Sequence, residues 1–158
     1  MQKRSILFIG FLAMLAIVVV GSASAFDLGS LIGDSSSDDG PQTVTIEGIN
    51  FTIPEGYKEA DNSSFENETA SVGSLTYTMN GKTFENGSDA FAILIADYGD
   101  YNVTEDILQQ IADEKASYGG QDGYVKVDNG FTVFSYIVDG DLVSISTSDD
   151  SVIEEILS

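Results

Sequence analysis

The chain has 158 residues, 26 of them acidic and 6 basic, and a formal net charge of −20. Cysteine, histidine and tryptophan are absent. Their absence removes the thiolate nucleophile, the imidazole base, the Ser-His-Asp and Cys-His arrangements and the usual nitrogen and sulfur ligands of zinc, while so acidic a surface repels the phosphate backbone of nucleic acid.

Lys3 and Arg4 precede an almost unbroken apolar run, Ile6–Val20, and Gly21-Ser22-Ala23-Ser24-Ala25 ends in an A-x-A site. This is the layout of a secretory signal peptide over residues 1–25, with cleavage expected after Ala25. The apolar run is 15 residues long. A spanning helix needs about 20. Left uncleaved, the segment would be an N-terminal anchor. No later run has spanning length, so no membrane insertion is expected once the signal is gone. Removing residues 1–25 leaves 133 residues, and because Lys3 and Arg4 go with them the net charge moves from −20 to −22. That length suits one domain with its own core. Anionic lipid is disfavoured as a surface, and the expected location is secreted or cell surface. Without cysteine the core must hold by packing alone, since disulfide staples are unavailable.

Residues 26–42 read as a disordered acidic tether around Asp34-Ser35-Ser36-Ser37-Asp38-Asp39-Gly40-Pro41. A single domain is expected over 43–158. Val44 and Ile46, then Ile49, Phe51 and Ile53, alternate with polar residues about Glu47-Gly48, which predicts a hairpin stopped by Pro54. Ala60 to Ala70 is polar and reads as loop. Leu75, Tyr77 and Met79 alternate up to Asn80-Gly81, and Lys82 to Glu85 follows, which predicts a second hairpin. Ala90 to Ala96 is apolar on both faces and predicts a central strand covered twice.

Thr104 has the character of a helix N-cap, with Glu105 and Asp106 in the first turn and Val103 before it. Ile107, Leu108, Ile111 and Ala112 form a helical stripe, and Gly119-Gly120 is expected to end the helix. Strands Tyr124–Asp128, Phe131–Val138 and Asp141–Thr147 follow, turning at Asn129-Gly130 and Asp139-Gly140. A short helix closes the chain over about 150–157. The expected class is α+β: a mainly antiparallel sheet of six to seven strands covered by helices at about 104–118 and 150–157, in the order ββ-ββ-β-α-βββ-α. The opening hairpin with Ile53-Pro54-Glu55-Gly56-Tyr57, the central helix, the three-strand meander and the closing Ile153–Leu157 helix resemble the PsbP-like fold over Thr43 to Ser158. That resemblance is topological and brings no functional residue with it. Composition and sequons also resemble those of small exported acidic proteins of methanogenic archaea.

Five of the seven asparagines, Asn50, Asn62, Asn67, Asn86 and Asn102, begin N-x-S/T sequons. Composition alone would give about one, so they are candidate glycan acceptors. The alternative is chance clustering in Ser/Thr-rich loops. Asp34/Asp38/Asp39, Asp97/Asp100, Asp139/Asp141 and Asp149/Asp150 offer oxygens to calcium, but none fits the EF-hand spacing. Asp139 reads more simply as a turn residue, and Asp149 or Asp150 as a cap. Tyr57, Tyr98 and Tyr101 read as cover for a core edge, or as exposed aromatics for sugar or peptide. Nucleophile-elbow, phosphate-loop and aspartic-protease signatures are missing.

The expected function is therefore an exported acidic domain that is not an enzyme, a binding or structural module facing an unknown protein or envelope component. A calcium- or cation-binding module using acidic loops is the first alternative, and a small carboxylate-based hydrolase the second. No catalytic residue, metal ligand or cofactor is assigned.

Overall fold

A computed structural model describes residues 40–60, 64–72 and 74–158. The signal segment and all but the last three residues of the tether lie outside the described residues. Among the described residues the chain forms β1 (Gln42–Ile46), β2 (Ile49–Ile53), β3 (Lys58–Glu59), β4 (Phe65–Val72), β5 (Leu75–Asn86), β6 (Asp89–Asp97), α1 (Glu105–Ile111), β7 (Glu114–Tyr118), β8 (Gln121–Asp128), β9 (Phe131–Val138), β10 (Asp141–Thr147) and α2 (Val152–Ile156). β1 and β2 make a two-stranded sheet. The other strands make an antiparallel eight-stranded sheet in the order β3-β5-β6-β10-β9-β8-β7, with β4 also paired to β5.

The protein is thus mostly antiparallel β, and the expected α+β class with a helix-covered sheet is wrong. The sheet is longer than six or seven strands, and its two helices have seven and five residues. Cover comes instead from a sandwich-like arrangement. On one face the β1–β2 hairpin supplies Ile46, Phe51 and Ile53, and α2 supplies Val152, Ile153 and Ile156. They pack on Phe84, Phe91, Ile93, Ile95, Phe134, Tyr136, Val143 and Ile145 of the large sheet. On the other face Ile107, Leu108 and Ile111 of α1 join Val103 and Tyr98 over Leu94, Ala96, Tyr124 and Leu142.

The helix expected over 104–118 stops at Ile111, and Glu114–Tyr118 is an edge strand. The apolar stripe ends at Ala112, which is already extended. Beyond it Ala116 and Tyr118 alternate inward with period 2, which suits a strand. Gly119-Gly120, expected to end a helix, is the hairpin turn to β8, with φ of 54° and 79°. A two-residue turn of this kind needs positive φ at both positions. Glu47-Gly48, Asn129-Gly130 and Asp139-Gly140 turn the chain the same way.

Asn80-Gly81 does not turn. β5 runs straight through it for 12 residues. A Cβ on Gly81 would meet the Ile93 carbonyl oxygen at 2.6 Å, so glycine serves a close approach between β5 and β6. Asn80 is buried, and its Oδ1 accepts the Asn67 N–H at 2.8 Å. The turn into β6 is Gly87-Ser88, between the paired Asn86 and Asp89. The segment read as loop over Ala60 to Ala70 contains most of β4, paired to the outer side of β5 with a register shift between Phe65 and Glu68. Its polar sequence fits an exposed edge strand, and Phe65 and Ala70 face apolar neighbours.

Candidate functional site

The sequon residues are placed by strands and turns as much as by loops. Asn50 and Thr52 lie on the outer face of β2, with Phe51 between them in the core. Thr45 Oγ1 donates to Asn50 Oδ1 at 2.7 Å, and Thr52 Oγ1 donates to the Ser158 carbonyl at 3.1 Å. Asn67 sits on β4 at φ 50°. Asn86 ends β5 with its side chain against Gly56. Asn102 precedes α1, and its side chain packs on Gly140. Asn50, Asn67, Asn86 and Asn102 are all exposed. Asn62 lies outside the described residues.

Sequence reasoning missed a linked polar network where α1 crosses β7 and β8. Tyr124 Oη donates to Glu105 Oε1 at 2.7 Å and accepts from Gln109 Nε2 at 3.0 Å. Lys115 Nζ reaches the same carboxylate at 3.5 Å. The Tyr124 hydroxyl above all, and then the Lys115 ammonium, hold the Glu105 carboxyl below its usual range. Glu105, Lys115, Asp122 and Tyr124 line a cleft of about 210 Å³ floored by Leu108 and Ile137. The signal was present as a Glu and a Gln at i and i+4 on the helix, facing a tyrosine on a strand. Sequence spacing alone cannot join the two elements.

Among the described residues no three acidic side chains come together as ligands would. Asp97 Oδ1 accepts the Gly99 N–H at 2.7 Å, as a turn residue does. Asp139 holds φ 52° in its hairpin turn. Asp149 Oδ1 accepts both the N–H and the hydroxyl of Ser151, which lowers its carboxyl and fixes the entry to α2. Asp34, Asp38 and Asp39 lie outside the described residues.

Asp141 is different. Burial raises its carboxyl, and Asp97, Asp139 and Glu47 add to the rise. A raised carboxyl stabilises the fold fully below the unfolded pKa, and that share is lost as pH climbs through the folded value. Asp141→Asn is therefore expected to raise the melting temperature at pH 7. The gain should shrink in high salt and disappear below about pH 3. Thermal melts at both pH values check this, and an unchanged midpoint at pH 7 would refute it.

Two of the singled-out tyrosines belong to the core edges. Tyr57 packs on Phe91 with ring centroids 4.9 Å apart, and Tyr98 on Tyr77 at 5.1 Å. Burial pushes the Tyr98 hydroxyl well above its usual range. Tyr101 is the exposed member of the set, at 42%. Ser135 and Ser144 pair their hydroxyls at 2.9 Å inside the sheet, and the buried Ser146 hydroxyl beside them has no partner among the described residues. No family model, curated protein or solved structure matches the chain.

Proposed function

We propose that the chain is an exported acidic domain that acts at the cell surface or outside the cell as a binding or structural module, without catalysing a reaction. The observation that carries this reading is the signal layout of residues 1–25, after which all 26 acidic residues lie. The exposed sequons support it. So does the charge distribution. Only Lys58, Lys82, Lys115 and Lys126 oppose the acidic residues after the signal segment, and Lys82 and Lys115 are engaged by Glu59 and Glu105. Such a field attracts basic partners and rejects nucleic acid and anionic lipid.

The Glu105–Asp122 cleft is the feature a carboxylate hydrolase would use. A glycosidase acid needs its pKa raised, and Glu105 is moved the other way. Its partners tie α1 to the β7–β8 hairpin, a structural role. N-terminal sequencing of native protein from envelope and extracellular fractions tests the export reading. A mature chain starting at Phe26 is expected. Protein starting at Met1 in the membrane would make the segment an anchor, and protein confined to the cytosol would overturn the reading.

A further inference from the structure

The geometry points to Asn67 as an N-glycosylation site on the outer edge of the large sheet, taking a saccharide from a lipid-linked glycosyl phosphate donor. This rests on the export reading above. The four described sequon asparagines are all exposed but not equally free. At Asn50 the amide oxygen is held by Thr45, and the Thr52 hydroxyl is spent on Ser158. Asn86 is paired to Asp89 in the ladder at the tight Gly87-Ser88 turn, and its amide nitrogen faces Gly56 closely enough that a Cβ there would come within 3.0 Å. Asn102 is pressed on Gly140, and Val103, inside that sequon, is buried with its N–H bonded to the Gly140 carbonyl at 2.8 Å.

Asn67 has none of these ties. Its side-chain amide and the Thr69 hydroxyl make no hydrogen bond among the described residues, and both residues are exposed. Its backbone is fixed all the same. The N–H is anchored on Asn80 Oδ1, and the positive φ falls within the register shift of β4. A bulge of this kind re-aims a side chain out of the ladder. Asn67 also borders a cleft of about 230 Å³ whose other polar lining includes Glu47, Glu66 and Lys82. That cleft gives the first sugar space and hydrogen-bonding partners. In the transfer, Asn67 Nδ2 forms a bond to the anomeric carbon. The bond from that carbon to the donor's phosphate oxygen breaks, the lipid phosphate leaves with the electron pair, and the Nδ2 proton passes to a base of the transferase. A saccharide there would stand over a free strand edge and block pairing with another chain.

The full chain with its own leader is expressed in a host that N-glycosylates exported proteins, and the exported protein is peptide-mapped by mass. One glycan's mass is expected on the peptide holding Asn67. It should be lost in Asn67→Gln and Thr69→Ala and kept in Thr69→Ser. Exported protein with a bare Asn67 overturns the proposal and leaves export standing. A chain retained inside the cell fails the export reading instead. A second arm then decides Asn67: folded, unmodified chain is given a purified oligosaccharyltransferase and its lipid-linked donor. Asn67 should be modified ahead of Asn50, Asn86 and Asn102, and any other order overturns the proposal.

Discussion

Removing the last eight residues, Ser151–Ser158, is expected to abolish the cooperative unfolding transition. Val152, Ile153 and Ile156 are buried together against Phe51 and Ile53 of the hairpin and Val143 and Ile145 of the large sheet. Full burial of one such side chain stabilises by about 1.5–3 kcal/mol. Three of them approach the about 5–15 kcal/mol that holds a whole domain together. The segment also makes bonds at both ends. The Glu154 carboxylate accepts the Gly119 N–H at 2.9 Å, and the Ser158 carbonyl accepts from Thr52. The milder Ile153→Ala should keep the fold and cost about 2–5 kcal/mol in urea unfolding. A truncated chain with the parent's transition would show that α2 is an ornament on the sheet.

Gly123→Ala is expected to destabilise the folded domain, although it adds one methyl group. Gly123 is extended, so backbone conformation is not the obstacle. A Cβ there would collide with the Ser135 carbonyl oxygen and come within 2.8 Å of the Phe134 ring. Phe134 has no exposure and is itself confined, with Tyr118 at 4.9 Å and Tyr136 at 5.5 Å between ring centroids. It covers the bare backbone of β8, as an aromatic does over a strand glycine. Overpacking of this kind costs about 1–3 kcal/mol, and more where backbone must shift. The loss should appear as a lower denaturant midpoint. An unchanged midpoint would mean that the ring swings aside without cost.

The sequence was most legible where one dipeptide decides the geometry. Asn129-Gly130 and Asp139-Gly140 require positive φ wherever they join two alternating runs, and they turn here. Ala90 to Ala96 could be placed in the centre because both its faces are apolar. The same logic failed at Asn80-Gly81, where a buried amide and a close backbone contact use the two residues inside a strand. It failed again at 113–118. A helical stripe ran out there with no Pro or Gly to mark the point, and a partner strand had first claim on the backbone. Edge strand β4 was hidden by its polarity. The site fared worse than the fold. The sequons could be read as a motif, but the freedom of Asn67 relative to Asn50, Asn86 and Asn102 depends on neighbours distant in sequence. The Glu105–Tyr124 contact joins a helix to a strand and has no local signature.

The strand order divides the large sheet into two meanders of near neighbours, joined along the single pairing of β6 with β10. Residues 98–140 must come between before that pairing can form. A chain that emerges N-terminus first therefore exposes Phe91, Ile93 and Ile95 until its final segment arrives, because β10 and α2 are the last to appear. Such a chain gains its stability late and all at once. The waiting half is its most vulnerable species, open to proteases and to other copies of itself.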